Sequence, residues 1–70
     1  MKMELVQQQL KEWGEIMITT SGGVTFELHL GDTTFDFENR LIKLDTPQAH
    51  YVIDGDSVEF VTKHYGHKHD

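Results

Sequence analysis

Seventy residues permit one small domain with a marginal core, because a chain of this length buries only about 60% of its unfolded surface. There is no cysteine, which excludes disulfides and thiolate-bound zinc as staples. The formal net charge is −6, concentrated in residues 16–62, where Arg40 and Lys43 face Glu27, Asp32, Asp36, Glu38, Asp45, Asp54, Asp56 and Glu59; such a surface repels a phosphate backbone.

In chain order, the first predicted element is a helix. Met3, Val6, Leu10 and Trp13 are spaced three, four and three, which is one face of a 3.6-residue period. Gln7, Gln8, Gln9, Lys11 and Glu12 fill the opposite face with good helix formers, and Gly14 stands where a left-handed cap is expected. The stripe reads first as a core-facing surface, and second as a partner-binding helix. Beyond Gly14 the period changes to two. Ile16–Thr20 is a strand, Ser21-Gly22-Gly23 a hairpin turn, and Val24–Leu30 an alternating strand with Val24, Phe26, Leu28 and Leu30 on its apolar face. Gly31-Asp32 permits a bend or a second turn. Thr33–Phe37 alternates again, Leu41–Leu44 is a short apolar run, and Pro47 breaks it. His50–Ile53 and Ser57–Thr62 flank the turn Asp54-Gly55-Asp56, and His29 and His50 read as exposed strand positions. The predicted unit is residues 1–62, one helix and about five short strands, followed by a His-rich flexible tail over 63–70. So short a sheet leaves edges exposed unless it curls into a barrel or pairs its edges between subunits.

Two stretches and their order resemble the Sm/LSm/Hfq-like family. The first is Phe35-Asp36-Phe37-Glu38-Asn39-Arg40-Leu41-Ile42-Lys43-Leu44-Asp45, and the second is Tyr51-Val52-Ile53-Asp54-Gly55-Asp56-Ser57-Val58-Glu59-Phe60-Val61. With the leading helix and the Gly-Gly turn, the resemblance covers residues 3–62. It implies a mostly-β α+β fold in which an N-terminal helix lies on a strongly bent five-stranded antiparallel sheet, a small barrel, with Gly31 as the bend of a long second strand. It also implies a homo-oligomeric ring, joined through strands 50–53 and 57–62, that binds single-stranded RNA. The position that the family fills with arginine before the glycine is Asp54, which puts repulsion where a phosphate would sit.

The candidate ligand residues follow from that resemblance. Asp36 and Asn39 offer acceptor and donor groups to a base edge, and Phe37 offers a ring for stacking. The simpler reading makes the first two turn residues and pairs Phe37 with Phe35 in the core. Gly55 lies in the second signature, and Lys63 adds positive charge. Asp54 and Asp56 around Gly55 are a weak candidate for a divalent cation and read more simply as a hairpin turn. In the tail, His64, His67 and His69, with Asp70, are candidate ligands for Zn²⁺, Ni²⁺ or Cu²⁺, against the plainer reading of a polar tail that charges towards pH 6.

No P-loop, Gly-x-Ser-x-Gly elbow or His-Glu-x-x-His helix is present, so the expectation is a non-enzymatic protein that requires no cofactor. With no apolar run near ~18 residues and no signal peptide, the expected setting is the cytoplasm. The leading expectation is a ring-forming, RNA-binding or nucleotide-binding module. The alternative is an acidic interaction module that occupies a basic protein partner without binding RNA. A third is a metal-binding module acting through the tail.

Overall fold

A computed structural model describes residues 1–63. The order of elements is α1 (Met3–Trp13), β1 (Glu15–Thr20), β2 (Thr25–His29), β3 (Thr33–Asp36), β4 (Leu41–Asp45), β5 (His50–Asp54) and β6 (Val58–Thr62). Helix α1 buries Met3, Val6 and Leu10, the spacing that its period requires, and leaves Trp13 half-buried. It ends because Gly14 takes φ 92°, a left-handed conformation that costs glycine little, and its N–H closes the last turn on the Leu10 carbonyl at 2.7 Å.

The six strands form two three-stranded antiparallel sheets. Sheet A has the order β2-β1-β6 and sheet B the order β3-β4-β5. This corrects the expected single five-stranded sheet and its closure as a small barrel. The reason lies in the segment between β2 and β3. Asp32 Oδ1 accepts the His29 N–H at 2.9 Å and the Thr33 hydroxyl at 2.7 Å, while the Asp32 N–H donates to the His29 carbonyl at 3.2 Å. That turn ends pairing with β1 at His29 and restarts the chain at Thr33 against β4. Residues 24–37 are therefore two strands in two sheets. Val24 and Leu30, expected on the apolar face, fall outside β2 and are exposed; Leu28 is buried and Phe26 half-buried.

One core joins the layers. Ile16 and Ile18 of β1, Leu28 of β2, Ile42 and Leu44 of β4, Ile53 of β5 and Val58 of β6 pack with the helical residues Met3, Val6 and Leu10. Trp13, Phe26, Phe35 and Val61 pack around them. Phe26 meets Tyr51 edge-on with ring centroids 5.2 Å apart, so β2 of sheet A touches β5 of sheet B. Strands β5 and β6 each form an outer edge, and both carry exposed apolar side chains: Tyr51 and Val52 on β5, Phe60 on β6. No helix among the described residues is long and apolar enough to cross a membrane.

Candidate functional site

The turn between β3 and β4 is organised by Asp36. Its Oδ1 accepts the Asn39 N–H at 3.2 Å and its Oδ2 accepts the Asn39 side-chain amide at 3.0 Å, with the Lys43 ammonium 3.6 Å away. These bonds, those to Asn39 first, hold the Asp36 carboxyl below its ordinary value. Phe37 follows as a partly exposed ring stacked on Phe35, centroids 6.1 Å apart and planes 16° apart. The local turn role and the aromatic pairing thus coexist with an accessible surface at Asp36, Phe37 and Asn39.

Arg40 closes the turn with φ 57°, a left-handed backbone that is uncommon for a residue with a long side chain. Its carbonyl accepts the Gly55 N–H at 2.8 Å, which brings the β5–β6 turn against the β3–β4 turn. Its guanidinium makes two forks. Nη1 and Nη2 donate to Glu4 at 2.7 and 3.0 Å, while Nε and Nη2 donate to Asp56 at 2.9 and 2.6 Å. Planar guanidinium matches carboxylates in this bidentate way, and the arrangement ties α1 to both turns. The Arg40 hydrogen bond is the main reason that the Glu4 carboxyl is held down at about 2, and it also depresses Asp56. Arg40 is raised in return, by Asp56 first and Glu4 second.

Two consequences bear on the sequence-based candidates. Asp56 is engaged by Arg40, and Asp54 Oδ1 accepts the Asp56 N–H at 3.1 Å, so Asp54-Gly55-Asp56 is a turn tied to Arg40 and not two carboxylates converging on a cation. It is not the expected hairpin either, because it carries the chain from β5 of sheet B to β6 of sheet A, and these two strands do not pair. Gly55 has a packing role as well, because a Cβ there would come within 2.3 Å of the buried Met3 sulfur. Asp36, Phe37, Asn39 and Gly55 are gathered on two touching turns. Lys63 is not among them; its ammonium lies over the Trp13 ring, 5.4 Å from the centroid, beside a groove lined by Met1, Leu5, Gln9, Phe60 and Val61. His64, His67 and His69 lie outside the described residues.

A second cluster escaped the sequence reading. His29 is only partly exposed, and it sits among three carboxylates. Its Nε2 is 2.9 Å from Glu15 Oε1 and 3.5 Å from Glu27 Oε2, and its Nδ1 is 2.9 Å from Asp32 Oδ2. Burial acts against the charged ring and is the largest single influence. The Asp32 hydrogen bond and the fields of Asp32, Glu15 and Glu27 together outweigh it, and the His29 pKa rises above 6.5. Asp32 is opposed by burial too, yet its bonds from Thr33 and His29 lower it. The available signal was Glu27-x-His29, two groups on one face of a strand; the hairpin register that brings Glu15 opposite His29 was the missing part. His50 of β5 is likewise bonded to its cross-strand partner Asp45. Comparison of the chain with protein-family models, with characterised proteins and with solved structures yields no match.

Proposed function

We propose that this protein is a self-assembling binding module whose copies join edge to edge, β5 of one to β6 of the next. The observation that carries the reading is that both strands are outer edges and both expose apolar side chains, Tyr51 and Val52 on one and Phe60 on the other. Exposed apolar edges of short sheets are a liability that pairing removes. A chain with so small a core also gains from burying surface against copies of itself. Joining β5 to β6 is a head-to-tail contact, so it generates a ring if the rotation closes. The groove beside β6, bounded by Met1, Leu5 and Phe60, gives the incoming β5 side chains an apolar seat. The resemblance to the Sm/LSm/Hfq-like family enters through these edges and the two signatures, and no longer through a single curved sheet.

The touching turns that hold Asp36, Phe37, Asn39 and Gly55 are the ligand face in this reading. Single-stranded RNA is the ligand that the resemblance implies, held through base edges and ring stacking. A second reading, a basic protein partner, is favoured by one specific observation. Arg40, the sole arginine of the chain, is spent on Glu4 and Asp56, which leaves Asp54 and Glu38 exposed beside the turns.

Native mass spectrometry and sedimentation velocity test assembly. The expected result is one discrete oligomer, and Val52→Lys, which places a charge on the edge, converts it to a folded monomer. A monomer at every concentration for the unmodified chain would refute the proposal. Labelled oligo-U and oligo-A, titrated at several salt concentrations, then separate the ligand classes. No RNA binding tighter than ~10⁻⁴ M at low salt, weaker than ordinary non-specific binding, would eliminate the RNA reading. Salt-sensitive binding of a lysine-rich peptide under the same conditions supports the acidic one.

A further inference from the structure

We propose that Glu15, Glu27 and His29 form a binding site for one transition-metal dication of the Zn²⁺ class on the face of sheet A away from the core. The site is independent of the assembly and the ligand face proposed above.

The β1–β2 hairpin builds it. Ile16, Ile18 and Leu28 point into the core, so alternation sends Glu15, Glu27 and His29 to the other face. The register sets Glu15 directly opposite His29, and Glu27 is two residues before His29 on the same strand face. One donor atom from each of the three lies within 4.8 Å of the others. Metal–ligand bonds of about 2.0–2.1 Å in a tetrahedron put neighbouring donors roughly 3.3 Å apart. The two separations from Nε2, 2.9 and 3.5 Å, bracket that length.

The orientation of the imidazole points the same way. Asp32 Oδ2 lies 2.9 Å from Nδ1, and Asp32 is itself fixed by the His29 N–H and the Thr33 hydroxyl. A carboxylate on one ring nitrogen holds the proton there and turns the other nitrogen, with its lone pair, outward; this is the outer-sphere device of metal-binding histidines. Here that lone pair faces two carboxylate oxygens. Such a contact is repulsive until a cation sits between them, and the choice is a proton or a metal ion. A proton bridges Nε2 to Glu15, leaving three carboxylates around one positive ring. A dication is shared by all three donors and offsets more of the charge. The imidazole favours a Zn²⁺-class ion over Mg²⁺ or Ca²⁺, which prefer all-oxygen shells. Glu27 and His29 border an open groove of about 530 Å³, which leaves an entry path and a coordination position for water.

The tail histidines are potential competitors, so the test uses the full-length chain carrying H64Q, H67Q and H69Q. Zn²⁺ is titrated by calorimetry, Co²⁺ by visible absorption, and the His29 ring is followed by NMR. The expected result is one ion per chain, Co²⁺ bands of tetrahedral intensity, and a shifted Nε2 resonance that excess Mg²⁺ does not reverse. In the same background His29→Gln, Glu15→Gln and Glu27→Gln each weaken Zn²⁺ by at least about tenfold, and Asp32→Asn does so by about 10–100-fold. Glu27 is exposed, so its variant keeps the fold and decides the matter if another does not. Absence of stoichiometric binding, an unmoved Nε2 resonance, or a Glu27→Gln chain that binds like its parent would overturn the proposal in favour of a proton-bridged cluster.

Discussion

Substituting Gly55 by alanine separates a packing role from a ligand role at that position. A Cβ on Gly55 would lie 2.3 Å from Met3 Sδ, 2.8 Å from Met3 Cγ and 2.9 Å from the Arg40 carbonyl oxygen. Carbon prefers neighbours at about 3.5–4.0 Å, so all three contacts are overlaps. Met3 is fully buried in the core and cannot swing into solvent without opening a void. The Arg40 carbonyl belongs to backbone and accepts the Gly55 N–H. Overpacking of this kind costs about 1–3 kcal/mol. A domain of this size has a total stability of roughly 4–10 kcal/mol, so the loss is a large share. At about 4–8 °C per kcal/mol, the thermal midpoint falls by at least about 4 °C. Thermal unfolding measures the midpoint and urea unfolding the free energy, both at one fixed protein concentration, since assembly would make stability concentration-dependent. Met3→Ala supplies the control. Alone it costs about 2–5 kcal/mol through a cavity. In combination it removes two of the three overlaps, so the double variant is more stable than the sum of the single costs by about 0.5–3 kcal/mol. Strictly additive costs, or a Gly55→Ala chain that keeps its midpoint while losing a ligand, would refute the packing argument.

Other consequences are equally open to measurement. The raised His29 pKa means that its charged ring stabilises the folded chain fully below the ordinary value of 6.5, and that this contribution disappears as pH rises through the higher folded value. NMR titration of metal-free protein should find His29 above 6.5, and Asp32→Asn should bring it down; an unchanged value in that variant would contradict the assigned pairing. Gly14→Ala forces a side chain into φ 92° and costs about 1 kcal/mol or more, read as a lower urea midpoint with an unchanged slope. Ile18→Ala, at the centre of β1 and fully buried, costs about 2–5 kcal/mol, whereas a change at exposed Glu59 stays within ~0.5 kcal/mol.

The local elements were legible because their causes are local. The three-four-three spacing of Met3, Val6, Leu10 and Trp13 and the stop at Gly14 need only neighbouring residues, and the same holds for the turns at Ser21–Gly23, at Asp36–Asn39 and at Asp54–Asp56. In β1 and β4, read as a run of strand formers and a short apolar run, the buried residues Ile16 and Ile18, and Ile42 and Leu44, stand two places apart, as alternation requires. Alternation misplaced Val24 and Leu30, because periodicity identifies a face but cannot say where pairing ends.

Composition and period by themselves therefore determined a small acidic chain with one amphipathic helix, a series of short strands and turns at known places. The tertiary structure decided that the strands divide between two sheets at Asp32, that Gly55 yields its space to Met3, that Arg40 reaches Glu4 across 36 positions, and that Glu15 meets His29. The physical reason is that hydrophobic period is carried by residues two to four apart. Sheet partnership, charge pairing and close backbone approach depend on register between segments that the chain brings together only by closing long loops.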